Sequence, residues 1–186
     1  MSPRYAVSDF EIANMNACRA AFPEVTLTGC LYHHTQSIWR QVVSKGLREL
    51  YLDIQQPTIR QQIQQIMALP FIPLQDVQEV WELLYDNMQE EIIELASYVE
   101  TTYVTGRPAR GRRRAVPPRF APETWNVYEL VINGRQRTNN VVEGFHSQFQ
   151  RLVVTHHVNI WRFIQHLQKQ QADTETLITQ VLGGHV

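Results

Sequence analysis

The sequence predicts an α/β protein that is mostly helical, and two observations predict it. Residues 4–30 read strand, helix, strand within 27 residues, the size of a βαβ unit whose two strands run parallel. From Leu31 onward the apolar residues recur at steps of three and four rather than in alternation, which is the helical period. The exception is Gly106–Pro122, where the composition changes abruptly.

Arg4–Ser8 reads as the first strand. Ser8 with Glu11 forms an S-x-x-E capping box for a helix whose packed face is Phe10, Ala13, Ala17, Ala20 and Ala21. Pro23 ends that helix. Val25–Cys30 alternates as the second strand, which places Asp9 just past the carboxyl end of the first. Open α/β sheets bind their ligands at that end.

Ile38, Trp39, Val42 and Val43 mark a helix that stops at Gly46. Tyr51–Gln56 reads as irregular. Pro57 suits the first turn of a helix carrying Ile59, Ile63 and Ile66. Leu69–Pro73 is a turn, and Asp76 with Glu79 opens a helix through Val77, Val80, Trp81 and Leu84. Ile92, Ile93, Ala96, Val99 and Tyr103 continue or restart it. Together these segments predict a small all-helical bundle.

Gly106–Pro122 holds Arg107, Arg110, Arg112, Arg113, Arg114 and Arg119, four prolines and no acid. It reads as a flexible basic loop: a solvated linker, a nucleic-acid contact or, over Arg110–Arg114, a nuclear-import signal. Trp125–Ile132 reads as a short helix that packs back. Asn159 caps a last helix, with Ile160, Phe163, Ile164 and Leu167 in its first half, Leu177, Ile178 and Val181 at its end, and Gly183-Gly184 closing it.

Charge is unevenly distributed. Residues 1–100 carry six basic and thirteen acidic side chains; residues 101–186 carry eleven and five. Fifteen of the seventeen basic residues are arginine, the better fork for phosphate oxygens. This is the pattern expected if one half faces a polyanion. Two cysteines, Cys18 and Cys30, make no disulfide framework, so an intracellular compartment is expected. No apolar run approaches the roughly 20 residues that span a bilayer, so no membrane partner is expected.

Arg137-Thr138-Asn139-Asn140-Val141-Val142-Glu143-Gly144-Phe145-His146 opens a further amphipathic helix, with Asn140 at its N-cap. Glu143, three residues beyond Asn140, reads either as the return half of a capping box or as a metal-binding carboxylate on a rigid helix. His146 shares its face.

The order of these motifs carries a resemblance. Asp9-Phe10-Glu11, Phe22-Pro23, Gly29-Cys30-Leu31-Tyr32-His33, Ala68–Pro73, Trp125-Asn126, Arg137–Asn140 with Glu143-Gly144 and His146, and His157–Trp161 resemble the transposase domain of Mutator-like elements, the MULE family. The likeness runs through nearly the whole chain; Val158 stands where the family usually has proline. It implies a partial ribonuclease-H-like core with an all-helical insertion and C-terminal helices. The implied organisation is a core over 1–46, the insertion over 47–105, the basic loop over 106–122 and C-terminal helices over 123–186.

The implied chemistry is DNA strand cleavage and transfer by an Asp-Asp-Glu set on two Mg2+ or Mn2+ ions. Asp9 matches the second aspartate and Glu143 the glutamate, both as catalytic residues and metal ligands. Cys30 and His33 match the C-x-x-H signature, with Asn139, Asn140 and His146 completing the family signature. Arg107, Arg110, Arg112, Arg113, Arg114, Arg119 and Arg137 would hold the DNA backbone. A nuclear location and a homo-oligomeric full-length parent follow from the same likeness. The eight residues before Asp9 contain no carboxylate, so the chain is expected to be a transposase fragment, inactive alone. The alternative is a non-catalytic, domesticated DNA- or protein-interaction module.

Overall fold

The computed structural model describes residues 3–55, 57–111, 113–138, 140, 144, 147 and 159–183. The chain divides into two compact units, Met1–Asn139 and Asn140–Val186. It is an α/β protein, mostly helical, with a short two-stranded parallel sheet.

In the first unit, β1 (Tyr5–Ser8) pairs in parallel with β2 (Thr26–Gly29), Tyr5 opposite Thr26 and Ser8 opposite Gly29. Helix α1 (Ile12–Ala21) connects them. The strand–helix–strand expectation holds, but its cap does not. Glu11 occupies the N-cap with no side-chain cap hydrogen bond, and the Ser8 hydroxyl instead donates to the Asp9 carbonyl and accepts from the Asn14 amide. The expected alanine face is exposed as well; α1 buries Met15, with Cys18 partly covered. Alanines bury too little area to set a helix's rotation when a methionine lies on the same helix.

Helix α2 (Leu31–Ser44) buries His34, Ile38 and Val42, and the chain then turns at Gly46 with φ +73°. Helix α3 (Arg48–Leu52) occupies part of the stretch read as irregular, because Leu47 is buried and draws Leu50 and Tyr51 onto the core. Helix α4 (Pro57–Ala68) buries the isoleucine row Ile59, Ile63 and Ile66 as its spacing predicts. Helix α5 (Val77–Asp86) buries Val77 and Trp81, although Asp76 at its N-cap makes no side-chain cap bond. Helix α6 (Ile93–Val99) runs into a π-helical turn, Glu100–Val104. Short helices α7 (Pro122–Trp125) and α8 (Tyr128–Ile132) follow. One hydrophobic core runs through this unit from Met15 to Trp125, and each fully buried isoleucine in it contributes about 1.5–3 kcal/mol.

Two of the sequence motifs are tied together inside this unit. The Asn126 side-chain amide donates to the Ile72 carbonyl at 2.7 Å, and the Val127 N–H donates to the Pro70 carbonyl at 2.8 Å. Trp125 is buried, and its indole N–H donates to the carbonyls of Tyr103 (2.8 Å) and Phe120 (3.1 Å). The tryptophan and asparagine therefore lock the end of the helical stretch onto the prolyl turn at 69–73.

In the second unit, helix α9 (Ile160–Leu182) starts at Asn159, whose side chain accepts from the Trp161 N–H at 2.9 Å, the cap its sequence predicts. Ile160, Ile164, Leu167, Ile178 and Val181 on this helix are exposed. Gly183 closes it with φ −82°, not in the left-handed conformation that the Gly-Gly pair suggests. Asn140, expected at an N-cap, has helical backbone.

Candidate functional site

The carboxyl ends of the two strands bring two motifs together. Cys30 follows β2 directly, and its N–H donates to the Ser8 carbonyl at 2.8 Å, extending the parallel ladder by one bond. Asp9 follows Ser8, so it emerges beside Cys30. Cys30 is fully buried and starts α2, whose first turn carries His33. His33 Nδ1 lies 3.1 Å from Asp9 Oδ1, with the aspartate half exposed and the histidine mostly covered. The Asp-Phe-Glu and Cys-x-x-His motifs thus meet side chain to side chain.

Phe10, the residue after Asp9, is firmly packed. Its ring packs edge-on to Phe120 and Tyr103 and lies against Gly29, where any Cβ would fall within the ring. Gly29 is therefore needed for close packing, not for backbone freedom. Behind Phe10 sits His34, which sequence reasoning passed over in favour of His33. It stacks on Trp125 with centroids 5.1 Å apart and meets Tyr103 edge-on at 4.7 Å. Both its ring nitrogens are buried without a hydrogen-bond partner among the described residues. Burial pushes its pKa down to about 3, so it is a neutral core histidine. Tyr103 has its own pKa raised by burial, and its hydroxyl lies 2.6 Å from that of Ser37.

Arg137, which opens the Arg137–His146 motif, arrives at the same place. The Leu31 N–H, at the start of α2, donates to the Arg137 carbonyl at 3.0 Å. Arg137 is exposed, and this bond ties it to the strand ends rather than to the other arginines. Asn139, Glu143 and His146 lie outside the described residues, as does Arg112; Asn140 is exposed. The Asp9–Glu143 pair is thus represented by Asp9 alone.

A divalent-cation site of the expected kind needs several carboxylate oxygens. Among the described residues no group of three or more Asp, Glu, His or Cys side chains converges, and Asp9 already faces a histidine nitrogen. The described residues do not complete a two-ion site.

The basic segment has more structure than a flexible loop. Arg107 and Val116 exchange both backbone hydrogen bonds, as do Arg110 and Arg113, in one antiparallel register. The segment is a hairpin turning at Gly111, which takes φ +59°. The prolines at 108, 117 and 118 fall between or outside the bonded residues, which is how the ladder tolerates them. At the hairpin's foot, Gly106 takes φ +81° and packs so close to the Val116 carbonyl that a Cβ would overlap it. Its N–H and that of Thr105 both donate to the Glu100 carbonyl. Arg107, Arg110, Arg113, Arg114 and Arg119 are exposed, and the Arg119 guanidinium lies 5.4 Å over the Phe120 ring.

Compared with protein-family models, curated proteins and solved structures, the chain matches none. No helix among the described residues is long and apolar enough to cross a membrane.

Proposed function

We propose that this chain is a DNA-binding part of a Mutator-like DDE transposase core, which contacts the phosphate backbone through its arginine hairpin. One observation carries the DNA contact. Arg110 and Arg113 are directly opposed across the hairpin, and the described residues give neither an acidic partner. Like charges directly opposite on paired strands destabilise the pair. A polyanion seated there turns that repulsion into attraction, and arginine offers phosphate a two-pronged donor.

Support for the transposase part comes from the resemblance and from the meeting of Asp9 with His33 at the strand ends. In this view Asp9 and Glu143 are the carboxylates offered to Mg2+ or Mn2+, and the nucleus is where the chain meets its DNA. Of the three carboxylates that strand cleavage of this kind needs, the likeness matches two, Asp9 and Glu143. The 186-residue chain is therefore expected to bind linear DNA and leave it uncut when Mg2+ or Mn2+ is added. Metal-dependent nicking by the purified chain would contradict that.

A second reading is a non-catalytic interaction module on the same scaffold, favoured by the close contact of His33 with Asp9, which occupies one carboxylate oxygen. Mn2+ binding separates the two. Glu143→Ala and Asp9→Asn each weaken it if the carboxylates form a site; no measurable binding by the parent chain favours the module.

A further inference from the structure

We infer that a cleft between α1 and residues 119–124 is a binding site for a single phosphate group. The inference rests on the DNA-contact reading for the source of that phosphate, but not for the site itself. The cleft holds about 160 Å³, about five water molecules' share of the liquid. That is room for a phosphate and part of an attached sugar.

One helical face forms one wall: residues 12, 15, 16 and 19 follow the i, i+3, i+4, i+7 spacing. Met15 and Phe120, both nearly fully buried, make an apolar floor. The rim is polar, from Asn16, Arg19, Arg119 and Thr124, and no carboxylate lines it. Neither arginine forms an ion pair among the described residues. Two guanidinium groups, an amide and a hydroxyl supply donors in the number and charge a phosphate takes.

The arginine wall is held in place from both sides. The Phe120 N–H donates to the Thr102 carbonyl at 2.9 Å, and the Phe120 carbonyl accepts from Trp125. The Arg119 side chain also lies over the Phe120 ring. Preorganised donors lose less freedom when they bind. Arg119 lies three residues beyond Val116, the last paired residue of the arginine hairpin.

Two titrations test the inference on the whole chain: inorganic phosphate, followed by nitrogen-edited NMR of the arginine side chains, and a short DNA duplex, followed by fluorescence anisotropy over a salt series. Arg19→Gln and Arg119→Gln should each weaken inorganic phosphate binding by about tenfold or more, the loss expected for charge-assisted hydrogen bonds. Arg110→Gln/Arg113→Gln/Arg114→Gln should leave phosphate binding unchanged. On the duplex, Arg19→Gln should reduce the log–log salt slope by about 1, one phosphate's worth. Phosphate binding without duplex binding keeps the cleft, with free phosphate as its ligand, and sinks the DNA reading. Duplex binding with phosphate affinity untouched by both cleft substitutions sinks the cleft and leaves the hairpin. Circular dichroism of each variant confirms that the fold is retained.

Discussion

His33 Nδ1 lies 3.1 Å from Asp9 Oδ1, across the carboxyl ends of two parallel strands. Two residues 24 positions apart are joined because Cys30, one bond beyond β2, hydrogen-bonds to Ser8, one residue before Asp9. The contact is half open to solvent, so its worth to stability is small, within about 1 kcal/mol. Asp9→Asn should change urea stability by no more than that. It should nevertheless abolish Mn2+ binding measured by calorimetry if Asp9 is a ligand. A large stability loss with unchanged metal affinity would assign Asp9 a structural role instead.

Gly29 and Gly111 should respond differently to alanine. At Gly29 the new methyl meets the Phe10 ring, and overpacking of this kind costs about 1–3 kcal/mol. Phe10→Leu in the same chain should recover part of that loss, giving a favourable coupling in a double-mutant cycle. At Gly111 nothing lies within 4 Å of the new Cβ, so only the positive φ opposes it, at about 1–2 kcal/mol for the residue. Denaturant midpoints of the parent, the three variants of the cycle and Gly111→Ala measure both.

Trp125 and Trp161 offer a second contrast. Trp125→Phe leaves two buried carbonyls, of Tyr103 and Phe120, without their donor, which costs about 1–3 kcal/mol. Trp161 is 72% exposed, and Trp161→Phe should move stability by about 0.5 kcal/mol or less. Thermal melts of the two variants should separate clearly.

The buried His34 makes stability depend on pH. Its folded pKa is about 3, against 6.5 when exposed. Between those values the unfolded chain binds the proton and the folded chain does not. Stability from this group is therefore complete above pH 6.5 and falls as the pH drops toward 3. From pH 7.5 to pH 5 the loss is about 2 kcal/mol. His34→Phe removes the titrating group and should flatten that part of the profile. A variant with the parent's slope would place the titration elsewhere.

Much of the first unit was legible. The period-two and period-3.6 patterns located β1, β2, α2, α4 and α5, because strongly apolar residues such as Ile59, Ile63 and Trp81 dominate burial. The Asn159 cap was legible for the same local reason. The capping boxes at Ser8 and Asp76 were misleading, since a side chain that fits a cap can bond elsewhere, as Ser8 does with Asn14. The hairpin was hidden because prolines and arginines score against strands, and only the backbone pairing of Arg107 and Arg110 reveals it. Of the candidate site, Asp9, Cys30 and His33 were legible as motifs, but their meeting depends on strand register. Arg19 carried no signal beyond its place on the Ile12–Met15–Asn16 face of α1, and its cleft partner is a hundred residues away.

The DNA contact is the central claim, and the salt dependence of duplex binding tests it most directly. Five described arginines from 107 to 119, each neutralising one phosphate, predict a log–log slope of about −4 to −5. Arg110→Gln/Arg113→Gln/Arg114→Gln should reduce that slope by about 3. A parent chain that fails to bind duplex at low salt, or a triple variant with the parent's slope, would contradict it.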